Sequence, residues 1–267
     1  MGRVALALVV HELLERTRDR WVMVISVLFA LLASAVTLYG RQSGAEGAAS
    51  ALTGPSLVTL ASLLVPLVAL VLSHDAIVGE RERNTLGLLM SLPVRRWEVV
   101  AAKFVGRGLA LGLAVGVGIG ASVALGGEGE RGVLLSLLWP TLLLGLAFLA
   151  IGLLISTVTT RQVTAASLVV VVWFLLVLFY DLGLLGLLVL TDGSVSQDTI
   201  AALVLANPAG LYRMQMMEAL TGPEVLQGLG MTVSLPGTVG SIGMWLGWIL
   251  GPVVCSGLVL SARKVVQ

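Results

Sequence analysis

Long apolar runs alternate with short polar connections along this chain, and their lengths predict six membrane-crossing helices. The runs cover residues 21–39, 56–73, 104–125, 133–156, 163–182 and 239–260. A hydrocarbon core of about 30 Å takes roughly 20 helical residues to cross, which each run approaches or supplies. The runs are apolar throughout and lack the residue-by-residue alternation of a lipid-embedded barrel, so the expected fold is all-α. Residues 2–20 follow a different pattern. Leu6, Val9, Val10, Leu13 and Leu14 share one helical face, opposite Glu12, Glu15, Arg16 and Asp19. This predicts an amphipathic helix lying in the interface ahead of the first span.

A charged island, residues 74–103, separates the second and third runs. Its first part extends the second helix, with Glu80 and Arg83 spaced to pair at i, i+3. Asn84-Thr85 interrupts it. Leu86, Leu89, Met90 and Pro93 then fall at i, i+3, i+4 and i+7, which predicts a short amphipathic helix ending at the proline. Ser91 is expected to cap the next helix, with Pro93 early in it, and Arg95, Arg96, Trp97 and Glu98 lead back to Lys103. On the other side of the membrane, residues 183–238 are long and half apolar. A helix over 163–190 would be about 42 Å long, so it is expected to tilt, break or lie flat beyond the span, with Gly183 and Gly186 as the break. Asn207-Pro208 then separates an apolar stretch at 200–206 from a short helix around 211–220. One or two outer helices are expected there. With no tandem repeat or low-complexity linker, residues 1–267 form one domain.

Composition agrees: 57% of residues are hydrophobic, 12% are charged, and the mean hydropathy is +1.02. The basic residues orient the chain. Arg3, Arg16, Arg18, Arg20, Arg81, Arg83, Arg95, Arg96, Lys103, Arg107, Arg161, Arg263 and Lys264 fall on the side of the termini, and only Arg41, Arg131 and Arg213 fall opposite. Both termini and the island are therefore expected in the cytoplasm. Arg107, one turn inside Lys103, is expected to snorkel to the inner headgroups. Asp181 lies near the outer end of the fifth run, where a role in capping or hydrogen-bonding the outer helices is expected.

Small residues mark packing seams. Gly108, Gly112, Gly116 and Gly120 recur every four residues in the third run, with Ala110, Ala114, Gly118 and Ser122 as a parallel row. Gly243, Gly247 and Gly251 repeat the pattern in the sixth. Such rows let helices approach closely in lipid, within one chain or between two copies.

Catalytic chemistry is sparse. The chain has no G-x-x-x-x-G-K-[ST] loop to cradle phosphates, so ATP hydrolysis is expected of a partner, if it is used at all. The one cysteine, Cys255, excludes an internal disulfide and a Cys-x-x-Cys metal pair. Met214, Met216 and Met217 are candidate soft ligands for Cu(I). On a helix, however, Met214 and Met217 share a face while Met216 points elsewhere, and methionines readily fill apolar gaps, so packing is the expectation.

The run 79–103, GERERNTLGLLMSLPVRRWEVVAAK, resembles the loop between spans two and three of ABC-2 type transporter permeases. The amphipathic first helix, six spans and long outer loop before the last span fit the same family over the whole chain. Within it, LSHDAIVGERERNTLGLLMSLPVRRWEVVAAKF, FYDLGLLGLLVLTDG and LANPAGLYR resemble the NosY family, the membrane subunits of NosDFY-type complexes that mature the copper centres of nitrous-oxide reductase. The resemblance implies an elbow helix at 2–20 and a coupling helix that docks on an ATPase through Glu80, Arg81, Glu82, Arg83, Asn84, Thr85, Leu86, Leu89, Met90, Pro93, Arg95 and Arg96. It also implies a second copy of the chain, two copies of a cytoplasmic ABC ATPase that hold ATP and Mg, and a periplasmic solenoid protein that handles copper. No nucleic acid is expected as a partner. Many family loops read Gly-Thr where this chain has Asn84-Thr85, a less permissive backbone. Two other readings stay open: an exporter of a small molecule, lipid or sulfur species, and an ATP-independent enzyme or secondary transporter. The last would need clustered polar residues or midplane charges, which the runs lack.

Overall fold

The computed structural model describes residues 2–17, 27, 30–35, 38, 48–91, 94–125, 131–221 and 237–262. Among these every regular element is helical. Among the described residues five helices are long and apolar enough to cross a membrane. The run at 21–39 lies largely outside the described residues, as do Pro93 and residues 222–236.

Helix α1 (Gly2–Thr17) is followed by α2 (Ala48–Ser73), the short α3 (Val78–Glu82) and α4 (Leu86–Ser91), and the long α5 (Arg96–Leu125). Next come α6 (Arg131–Ser136) and α7 (Leu138–Val158). The fourth predicted run is broken between them for a local reason. Pro140 has no N–H to give to the Ser136 carbonyl, so one helix ends there and the next begins.

Helix α7 is the centre of the bundle. It is apolar on all sides, and Leu144, Phe148, Leu149 and Leu153 are fully buried, which is what such a helix requires. Helices α2, α5 and α12 (Thr238–Ala262) pack around it. Close approach is made by Gly145 and Gly152. A methyl group at Gly152 would lie 2.0 Å from Ser73 Oγ, and one at Gly145 would lie 2.7 Å from Leu111.

The glycine rows of the sequence divide. Gly108 and Gly112 face Leu146 and Leu142 of α7, whereas Gly116, Gly120, Gly243, Gly247 and Gly251 face open space within the single chain. The parallel row is the packed one. Ala110, Ala114, Gly118 and Ser122 are all buried.

The fifth span is α8 (Gln162–Trp173), a π-helical segment Phe174–Phe179, and α9 (Tyr180–Leu190). The expected break at Gly183 or Gly186 does not occur. A glycine costs a helix only about 1 kcal/mol relative to alanine, too little to end one that is otherwise apolar and continuous. The helix stops instead at a Schellman turn, with Asp192 at φ 49° and Gly193 N–H donating to Leu188 O at 3.0 Å.

Two further helices, α10 (Gln197–Ala206) and α11 (Pro208–Thr221), follow where the sequence places outer helices. Asn207 joins them. Its Oδ1 accepts from Ala209 N–H at 3.0 Å, with Pro208 in the first helical position, and its Nδ2 donates to Leu176 O of the π-helical segment at 2.6 Å. Helix α11 packs on α2 and α7 and buries Leu211 and Tyr212 there, with Tyr212 Oη 3.1 Å from Thr141 Oγ1. Asp181 meets Arg213 in a two-pronged pair at 2.6 and 2.8 Å, the bracing of outer helices expected for it.

Candidate functional site: the charged end of the bundle

The polypeptide of the charged island folds as a bracket. After α2 ends, the Ile77 and Val78 N–H groups donate to Ser156 Oγ of α7 at 2.9 and 3.1 Å. A buried serine thus caps α3 from a neighbouring helix. Ser156→Ala leaves two buried donors without a partner and is expected to lower stability by about 1–3 kcal/mol. Thermal unfolding in detergent, together with faster amide exchange at Ile77 and Val78, measures this; unchanged exchange there refutes it.

Helix α3 ends on a second Schellman turn. Asn84 has φ 57°, its N–H donates to Arg81 O at 3.2 Å, and Thr85 N–H donates to Glu80 O at 3.0 Å. This left-handed position explains why glycine suits the site and why asparagine, the most tolerant other residue, stands in for it. Helix α4 follows at once. Leu86 is buried in a small core with Ala76, Ile77, Val100, Leu153 and Leu260, and Met90 packs against it.

The apolar face that periodicity picks out is therefore turned largely into the protein. Leu86 and Met90 hold α4 down, Leu89 is half-buried, and the residue pointing outward is Leu88, 71% exposed. Gly87, Arg83, Asn84, Ser91 and Arg95 are exposed around it. Sequence reasoning missed Leu88 because six residues are too few for periodicity to separate an anchoring face from a presented one.

Several charges of the island serve as braces. Arg81 donates to the Thr159 carbonyl at the end of α7, and Arg96 Nη1 donates to Leu260 O and Ser261 O at the end of α12, both at 3.1 Å. Glu82 accepts from Gln162 N–H at the start of α8 at 2.7 Å. Each charge sits at the helix terminus its sign favours. Ser91 does not cap the next helix. Its hydroxyl turns back to Leu88 O at 2.7 Å, and Glu98 instead accepts from Arg95 N–H at 2.9 Å to start α5. The anticipated Glu80–Arg83 pair is also absent, because Glu80 faces α5 and engages Lys103.

Beneath the bracket lies an ion network that the sequence reading did not assemble. Arg107 is 1% exposed; its Nε donates to Glu12 Oε1 at 2.5 Å, and its Nη1 donates to Asp75 Oδ1 and Leu72 O, both at 2.6 Å. It does not snorkel to headgroups. Lys103 joins Glu12 at 3.0 Å to Glu80 at 3.1 Å, and Arg16 reaches Asp75 at 2.9 Å. Three acids face three bases, so the network is neutral as a whole. Burial by itself would raise the Glu12 carboxyl, but the charges of Arg107 and Lys103 and their hydrogen bonds outweigh it and hold the group below the usual carboxylate range.

The network explains how α1 sits. The helix rests on α5 with Glu12 and Arg16 turned inward, a methyl at Gly106 placed 2.7 Å from Glu12 Cβ, while Leu6, Val10, Leu14 and Glu15 face outward. One signal for this was present in the sequence. Lys103 and Arg107 stand one turn apart on the same face of a helix entering an apolar run.

At the opposite end, Met216 is buried in the main core, Met214 packs against that core, and Met217 is half-buried.

The fold and this end of it define a multi-pass helical membrane protein with a braced, polar-locked bracket at one end of its bundle. The chain belongs to the ABC-2 family of transporter proteins, whose family model matches residues 6–265. It is 38% identical over 248 residues to the probable ABC transporter permease protein NosY of Stutzerimonas stutzeri, covering 88% of each chain. It is 37% identical over 213 residues to the protein of the same name in Pseudomonas aeruginosa strain PAO1, covering 76% of this chain and 78% of that one. The chain is thus the membrane permease component of an ABC transporter, a class that works with an ATPase in a bilayer.

Proposed function

We propose that this permease carries ATP-driven motion from a cytoplasmic ATPase to a periplasmic copper-handling protein, in support of copper-site assembly in nitrous-oxide reductase. The identity to permeases named NosY supports the subfamily. In this reading α1 is the elbow helix and the run at 21–39 is the first of six spans. Helix α4 is the coupling helix, and both termini are cytoplasmic. The bracket then faces the ATPase, and the outer helices α10 and α11 face a periplasmic solenoid protein. A second copy of the chain completes the membrane unit. ATP and Mg are held by the two ATPase copies and copper by the periplasmic partner; this chain is the non-catalytic transmission part.

The observation that carries the reading is Leu88. A large apolar side chain stands outward from the middle of α4, while Arg81, Glu82 and Arg96 tie α3 and the start of α5 to the ends of α7, α8 and α12. A braced bracket that presents exposed apolar side chains, Leu88 foremost and Trp97 beside the start of α5, suits the transfer of force from a soluble partner that grips it. Leu88→Glu is expected to cut recovery of the ATPase with the affinity-purified permease about ten-fold, equivalent to about 1.4 kcal/mol. Full ATPase recovery with Leu88→Glu would rule α4 out as the socket. Identification of the co-purifying chains tests the subfamily, since a periplasmic repeat protein must appear beside the ATPase.

A further inference from the structure

The bracket and the amino-terminal helix are joined by more than packing. Lys103 holds Glu12 of α1 and Glu80 of α3 through one ammonium group, at 3.0 and 3.1 Å. The other carboxylate oxygen of Glu80 accepts from Thr85 Oγ1, and Thr85 is the residue immediately before α4. The Thr85 carbonyl accepts from Leu89 N–H at 3.0 Å, so this residue begins the turn of α4 itself. A continuous line of polar links therefore runs from α4 through Thr85, Glu80, Lys103 and Glu12 to α1.

We infer that Thr85, Glu80 and Lys103 are positioning residues that lock α4 to α1, so that the two helices move as one body. The chemistry favours a stiff link. Glu12 and Lys103 are buried and Glu80 is largely so, which shields the line from competing water and strengthens each charge-assisted bond. The same Glu12 also binds Arg107, so the line ends on the most deeply buried charge among the described residues rather than on a free side chain. A displacement of α4 would reach α1 and the face of α5 on which α1 rests. Its relevance to transport rests on the reading of α4 as the ATPase socket; the mechanical link itself does not.

Thr85→Val tests the link, because it removes one hydroxyl and no charge while leaving every ion pair in place. The permease–ATPase complex, with Cys255→Ser, carries spin labels at Leu14 of α1 and Ser91 of α4, both exposed. Labelled chain is diluted among unlabelled copies so that pulsed spin-resonance distances are read within one chain. The parent is expected to give a narrow distribution, Thr85→Val one about twice as broad, and Thr85→Ser, which restores the hydroxyl, the narrow one again. A valine variant as narrow as the parent, or a serine variant as broad as valine, overturns the inference. ATPase recovery with Leu88→Glu is read separately, so failure of the socket reading leaves the distance result standing.

Discussion

Arg107→Met is expected to lower the stability of the protein by about 3–5 kcal/mol, the range for breaking a buried ion pair from one side. The loss is larger than the side chain's own contacts suggest, because of what remains. Glu12 and Asp75 are 4% and 8% exposed and would lose the guanidinium that offsets their burial, and the Leu72 carbonyl would lose its side-chain donor. A melting temperature about 10 °C lower in detergent is the expected reading. Lysine is a poor substitute, since one ammonium does not reproduce the guanidinium's separate bonds from Nε and Nη1. A methionine variant that melts with the parent would show that the network adds nothing net to stability, as happens when a whole buried cluster is exchanged for apolar groups.

Gly210→Ala is expected to be the most damaging small substitution at the opposite end. A methyl group there would lie 2.2 Å from the backbone oxygen of Val204 and 3.2 Å from its side chain. Backbone cannot rotate away as a side chain does, so the corner between α10 and α11 must open. Overpacking of this kind costs about 1–3 kcal/mol, and the upper end applies here. The opening would also strain the Asn207 cap on Ala209 and the Asn207 Nδ2 bond that ties this corner to the π-helical segment. The measurable outcome is a lower melting temperature together with quenching or a spectral shift of Trp245, whose indole N–H donates to Gln215 of α11 at 3.0 Å. A variant with parental melting and fluorescence would show that the corner is free to relax.

The readings that held share one property: their signals are local. Apolar length marks a span by comparison with the thickness of hydrocarbon, and Asn207-Pro208 caps and starts a helix within three residues. Asp181 was placed beside the outer helices because of where it falls along its own run. The readings that failed needed knowledge of a second segment. Arg107 was assigned to the headgroups because its partners, Glu12 and Asp75, lie 95 and 32 residues away in sequence. Ser91 looked like a cap, but Glu98 reached the site first. Gly183 and Gly186 looked like a break, yet nothing beside them requires one.

The amino-acid sequence alone determined that this chain is a helical membrane protein, where most of its helices run and which segment carries the charged bracket. Those properties follow from apolar length and from where prolines and charged residues interrupt it, all of which act along the chain. Only the tertiary structure decided which faces are used. It turned Glu12 and Arg16 of α1 inward, buried Leu86 and left Leu88 out, and closed three acids and three bases into one neutral network. The reason is that a buried charge is tolerable only with partners at hydrogen-bond distance, and whether those partners meet depends on how several distant helices pack.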